Sequence, residues 1–251
     1  GIDRSEIRDI QITGNDIEYN CDPDGPVSAD VWFDCSVRGS VREGTISGNT
    51  IQAIPSPGGA NIRFKGSPKN DQQIGLISIS GNHISNHTLN IHLERAKGIS
   101  ITGNTFIRGY DRHMIIDNCS NIIISGNVFD HNTDYFTKGL VAPGGITVLK
   151  SGNIIFTDNI LDGVNYGSAE TGGALMLKEC SDISVRGCQI INPEFRGIEV
   201  VNCSNLKISD CLVNEKESFS RMLAGIEITG SCPGTIIKNN SVGRGKKGDI
   251  I

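Results

Sequence analysis

Apolar and polar residues alternate with a period of two along most of this chain, in short bursts that end on glycine and asparagine. The burst ISITGNTF at 99–106 is one of nine related copies. The others are IQITGNDI (10–17), GTISGNTI (44–51), ISISGNHI (77–84), IIISGNVF (122–129), IIFTDNIL (154–161), ISVRGCQI (183–190), LKISDCLV (206–213) and TIIKNNSV (235–242). Their anchors are Asn15, Asn49, Asn82, Asn104, Asn127, Asn159, Cys188, Cys211 and Asn240, spaced 22 to 34 residues apart. Self-similarity on this scale marks a solenoid. Alternation makes its unit a strand, because a helical unit would need apolar residues three and four apart over roughly ten positions. Leucine-rich repeats would show a fixed Leu frame with a helical segment, and neither is present. The Asn is expected at a tight bend, itself in a left-handed backbone. Stacked coils would then line these side chains into a ladder.

A second strand recurs between the copies. It reads DVWFD (30–34), NIRFK (61–65), NIHLE (90–94), HMIID (113–117), GITVL (145–149), ALMLK (174–178), GIEVV (197–201) and GIEIT (225–229). In register these give the pairs Val31/Phe33, Ile62/Phe64, Ile91/Leu93, Met114/Ile116, Ile146/Val148, Leu175/Leu177, Ile198/Val200 and Ile226/Ile228. Every pair is apolar, so these side chains are expected to point inward. A short third strand follows each Asn, beginning at Ile17, Ile51, Ile84 and Phe106 in the first four copies.

Three short strands per coil and an Asn turn, repeated over eight or nine coils, resemble the right-handed parallel β-helix of the pectin-lyase-like superfamily, over nearly the whole sequence. The resemblance implies an all-β solenoid forming one domain over 1–251, with the Asn ladder between the second and third strands. It also implies a substrate groove on the outer face of the first sheet, whose strands begin at Asp30, Asn61 and Asn90, and a secreted, periplasmic or cell-surface protein. The chain opens on a glycine in mid-repeat, which makes it a candidate fragment of a longer chain.

Composition narrows the function classes. Of 251 residues, 31 are Gly and 5% are aromatic, as thin aliphatic coils with tight turns require. The net charge is −5, without the basic stripe of a dedicated nucleic-acid binder. No run approaches the length of a membrane-spanning apolar helix. There is no dinucleotide or phosphate-loop fingerprint; GRGKKG at 243–248 lacks the strand and helix that would frame one. Cys119, Cys180 and Cys203 share one ladder position, while Cys188 and Cys211 replace the Asn. Adjacent coils lie about 4.8 Å apart, so either stacked free thiols or a bridge is compatible with the spacing. No C-x-x-C pair is present, and no zinc-type ligand set is expected.

Candidate chemistry lies on the outward positions of the first strands. One column reads Trp32, Arg63, His92, Ile115, Thr147, Met176, Glu199, Glu227; the next reads Asp34, Lys65, Glu94, Asp117, Leu149, Lys178, Val201, Thr229. The first four coils therefore gather the only Trp with Arg63, Lys65, His92 and three carboxylates. The 109–113 stretch adds Tyr110, Arg112 and His113, and the loop 130–145 offers His131, Tyr135 and Lys138 as a wall. The loop 162–173 would wall the groove with Tyr166 and Glu170. An aromatic ring with basic groups and carboxylates on one face suits an acidic polysaccharide. Three chemistries fit. Arg63 and Lys65 could neutralise a uronate carboxylate while His92 removes the adjacent proton, the reading slightly favoured. Glu94 and Asp117, on adjacent rungs, or Asp34 and Glu94, two rungs apart, could serve as a hydrolytic pair. Calcium held by Asp34, Glu94 or Asp117 could assist a lyase. Two further readings stand beside these: alternating Asp34, Lys65 and Glu94 also fit cross-strand charge pairing without function, and Trp32 could be covered by another segment. A non-catalytic binding, adhesion or spacer module of a larger secreted or surface protein is the alternative from another class.

Overall fold

The computed structural model describes residues 5–70, 73–131, 141–216 and 221–251. In chain order the strands are β1 (Glu6–Thr13), β2 (Asp16–Glu18), β3 (Ala29–Asp34), β4 (Ser40–Ser47), β5 (Thr50–Gln52), β6 (Ala60–Lys65), β7 (Ile74–Ser80) and β8 (His83–Glu94). There follow β9 (Lys97–Thr102), β10 (Thr105–Asp117), β11 (Ser120–Ser125), β12 (Val128–Asp130), β13 (Gly145–Leu149), β14 (Gly152–Thr157), β15 (Ile160–Asp162) and β16 (Leu175–Lys178). The last are β17 (Ser181–Arg186), β18 (Gln189–Ile191), β19 (Arg196–Val201), β20 (Ser204–Ser209), β21 (Leu212–Asn214), β22 (Ala224–Thr229), β23 (Ile236–Lys238) and β24 (Ser241–Val242). All named pairings are parallel, and each strand pairs with its counterpart one coil away. One sheet has nine strands, β1-β4-β7-β9-β11-β14-β17-β20-β23. The first and third strands of the coils make up the rest. They join into one fifteen-stranded sheet, because β8 and β10 run unbroken from the third-strand position through the corner into the first.

The inward pairs pack as the alternation requires. In seven of the eight both residues are buried; in the last, Ile226 is buried and Ile228 partly so. Each coil adds a third-strand residue such as Ile51, Ile84, Phe106, Phe129 or Leu161. Stacking is literal: the rings of Phe106 and Phe129 lie 4.6 Å apart and within 4° of parallel, and those of Phe33 and Phe64 lie 4.8 Å apart. No single coil could bury these side chains, so the core exists only through stacking.

The Asn ladder forms, with one correction to its mechanism. Asn104 Nδ2 donates to Asn127 Oδ1 (3.0 Å), and Asn104 Oδ1 accepts from both the backbone N–H and Nδ2 of Asn82 (2.9 Å each). The same pattern runs through Asn49, Asn82, Asn127 and Asn159. Left-handed backbone falls on the preceding residue, Gly14, Gly48, Gly81, Gly103, Gly126, Asp158, Gly187, Asp210 or Asn239, and not on the ladder residue. The tight bend thus uses glycine's freedom, while the Asn supplies amide donors and acceptors between coils.

All eight cysteines are free. Several act as acceptors in a second ladder just past the first strands: Cys180 N–H donates to Cys203 Sγ, and Cys203 N–H to Cys232 Sγ, both at 3.4 Å. Ser151 fills the equivalent place beside Cys119. No described helix is long and apolar enough to cross a membrane.

Candidate functional site

The two outward columns assemble in the expected register. Trp32 pairs with Arg63, Arg63 with His92, and His92 with Ile115, which continues to Thr147, Met176, Glu199 and Glu227. The second column joins Asp34, Lys65, Glu94 and Asp117 in the same way. Loops cover much of the first column. Trp32 is 40% exposed, but Arg63 only 9% and Thr147 only 2%. Arg63 Nη2 donates to the carbonyl of Gly58, in the loop before β6. Tyr166 lies over the Arg112 guanidinium, 3.5 Å from it to the ring centroid.

His92 sits between two cations. Burial, with Arg63 and Arg112, lowers its pKa to about 4, so the ring is neutral at neutral pH. Its Nδ1 is buried without a hydrogen-bond partner, as are Arg63 Nε, Arg112 Nε and Thr147 Oγ1. Four such atoms along one strip of sheet are unusual, since buried polar groups are normally paired. Arg112 reaches this strip because the β8–β10 and β10–β13 registers shift beside it.

That same irregularity corrects one expectation. Bulges break strict alternation, and His113, expected to bind substrate, turns inward beside Met114. It is 1% exposed, lies 2.9 Å from Asn90 Nδ2 through its Nδ1, and tilts against Phe106 and Phe129. Burial, with a smaller contribution from His131, lowers its pKa to about 3. It is a core residue. Tyr110 is partly buried within the bulged stretch. Tyr135 and Lys138 lie outside the described residues.

The carboxylates of the second column are locally engaged. Asp34 accepts from Ser36 N–H (2.9 Å) and Oγ (2.5 Å); partial burial raises its pKa, but these donors and Lys65 outweigh that and leave it lowered. Glu94 pairs with Arg95, and Asp117 accepts from Asn118 Nδ2 (2.8 Å). Among the described residues these three do not converge as a three-ligand cation group. Further along, the acidic Glu199 and Glu227 share one cation. Both face Arg196, which is 1% exposed and also donates to the carbonyls of Ser168, Ala169, Glu170 and Gly172. This knot clamps the 166–173 loop over the sheet.

Alternation could not show one further cleft. A cavity of about 300 Å³ opens beside the third strands, lined in part by Asp130, His131, Asp162, Asn192 and Arg221. Asp130 and Asp162 are register partners. Burial and then Asp162 raise the Asp130 pKa, while Asp162 accepts from Asn192 Nδ2 at 3.0 Å. The recurring VFD and ILD endings of adjacent third strands were the available signal.

The comparisons bear on this geometry through the fold. The full-length tailspike protein 2 of an Escherichia coli O157:H7 bacteriophage matches with 10% identity and a TM-score of 0.52, covering 94% of this chain and 38% of that one. The enzymatically active domain of tailspike protein 2 from bacteriophage CBA120 matches with 12% identity and a TM-score of 0.54, covering 99% and 46%. The chain thus spans less than half the length of either. An alginate lyase from a Paenibacillus species matches with 11% identity and a TM-score of 0.42, covering 98% and 97%. No curated protein matches. The family model described as "Right handed beta helix region" matches residues 1–174 and 136–251. With parallel strands stacked coil on coil around an Asn ladder, the chain belongs to the right-handed β-helix family.

Proposed function

We propose that the first-sheet face binds an acidic polysaccharide along Trp32, Arg63, His92 and Arg112, and that it acts on a uronate unit there by elimination. The observation that carries this reading is the neutral His92 held between two arginines, with buried nitrogens that make no hydrogen bond on all three, although Arg112 Nε lies 3.6 Å from Asp111 Oδ2. A substrate carboxylate paired with Arg63 and Arg112 would engage those donors and offset the smaller, arginine part of the depression of His92, whose larger part is burial. The proton affinity of His92 would then be higher with substrate bound than without it. The imidazole would take the proton next to the carboxylate, the electrons would form the new double bond, and the glycosidic oxygen would depart. Lys65 lies in the adjoining column as a third cation, and Trp32 offers a face for a sugar ring. Glu94 and Asp117 are placed beside this row, where Glu94 orients Arg95.

A second reading rests on Asp130 and Asp162. Adjacent rungs put their backbones about 5 Å apart, near the separation of retaining glycosidases, and burial together with Asp162 raises the Asp130 carboxyl toward the protonated form a general acid needs. The non-catalytic binding module remains the reading if neither site turns over.

The test is a panel of uronic-acid and neutral polysaccharides, with and without calcium. Elimination produces an ultraviolet-absorbing unsaturated end, whereas hydrolysis produces reducing ends alone. Absorbance that is lost in His92→Ala and Arg63→Ala supports the first reading. Reducing ends without absorbance, lost in Asp130→Asn, support the second. Silence in both, with binding retained, leaves a binding module.

A further inference from the structure

Three ligand-type side chains converge beside the second coil, away from the sheet face. Cys21 lies in the segment between β2 and β3, Asp30 in β3, and His87 within β8. One candidate ligand atom from each lies within 4.8 Å of the other two. Cys21 is 5% exposed and His87 fully buried. His87 Nε2 has no hydrogen-bond partner in that buried position, which is costly for a polar atom. Cys21 Sγ is 4.0 Å from Asp30 Oδ1, and Asn61 Nδ2 fixes Asp30 Oδ2 at 3.1 Å. The ring edge packs on Gly59, where an added Cβ would lie 2.2 Å from His87 Cε1 and 2.9 Å from Nε2. Only glycine there leaves the ring its place.

We propose that Cys21, Asp30 and His87 form a three-ligand site for a divalent transition metal of zinc's class. Thiolate, imidazole and carboxylate are together the donor set of borderline-soft ions, whereas calcium and magnesium take oxygen ligands. Bonds of about 2.0–2.3 Å require the ligand atoms to draw in by roughly 1 Å, with solvent or another group in the fourth position. Binding releases the Cys21 thiol proton to solvent. Thr88 N–H donates to His87 Nδ1 at 2.8 Å, which places the ring proton on Nε2. Coordination through Nε2 moves that proton to Nδ1 and gives up the Thr88 bond. Thr88 itself stays anchored through Oγ1 to the Ser56 carbonyl. Burial favours the neutral form of all three: with Arg63 it lowers His87 to about 4, which leaves the imidazole free to coordinate, but it raises the Cys21 thiol and brings Asp30 to about 6. A dication reverses the penalty on both anions.

The bound ion would staple the segment after β2 to β3 and β8. It would also brace the loop whose Gly58 carbonyl receives Arg63, and so the Trp32 end of the groove. Sequence spacing could not show the site, because positions 21, 30 and 87 come together only when coils stack.

Cobalt(II) titration of the metal-stripped 251-residue chain tests it. The expected result is a thiolate-to-cobalt near-ultraviolet band with tetrahedral visible bands, saturating at about one ion per chain. The bands should vanish in Cys21→Ser and persist in Cys232→Ser. His87→Gln and Asp30→Asn should each weaken cobalt affinity at least tenfold while far-ultraviolet circular dichroism is unchanged. They keep the question open to refutation if Cys21→Ser fails to fold. No band in the parent chain, a band unchanged in Cys21→Ser, or undiminished affinity in both other variants overturns the site.

Discussion

His92 and His113 sit on neighbouring coils and have opposite fates. His92 faces outward between arginines, and His113 is sealed among phenylalanines. Both are held neutral, as is His87. A histidine whose folded pKa lies below its ordinary 6.5 leaves the unfolded chain binding more protons between the two values. Stability is therefore fully present above about pH 6.5 and falls as the pH drops toward 4. Each such histidine contributes on the order of 3 kcal/mol. Asp30, raised to about 6, acts the other way over pH 6 to 4 and offsets roughly one of the three. Denaturant melts should show a net loss across this window, and His113→Phe should flatten it; an unchanged slope in that variant would refute the buried neutral state. For chemistry, His92→Ala should lower kcat/KM by at least 100-fold on a substrate the protein turns over, measured against His83→Ala, at the start of β8, as a control.

Among the elements, the ladder and the clamp carry separate loads. Asn104→Ala removes the acceptor of the Asn82 backbone N–H and strands it in the core, so a loss of about 2–4 kcal/mol is expected from urea unfolding. Asn15→Ala, at an exposed rung, should cost under about 1 kcal/mol. Equal costs would show that the ladder is not cooperative. Arg196→Met leaves Glu199 and Glu227 without their cation, with an expected cost of about 3–5 kcal/mol and faster proteolysis within 166–173. Strand positions, inward pairs and the ladder were legible because each depends on period-two alternation repeated coil after coil. The inward turn of His113 and the Arg196 clamp were not. A bulge breaks the period at the first, and loop 166–173 returns over the sheet at the second, where no repeat reports it.

The whole molecule carries a net charge of −5 yet concentrates Arg63, Lys65 and Arg112 at one end of one face. An anionic polymer would be drawn to that strip, with an affinity that weakens as salt screens it. The inward apolar pairs do not depend on this charge placement, although Arg63 also holds the loop at Gly58. The most direct measurement is the equilibrium affinity of a polyuronate oligosaccharide for the parent chain, Arg63→Ala and Lys207→Ala, the last an exposed cation on the nine-stranded sheet. A loss of tenfold or more in Arg63→Ala, about 1.4 kcal/mol or greater, with Lys207→Ala unchanged, is the predicted result. Equal affinity in all three, or equal binding of a neutral glucan, would contradict the account.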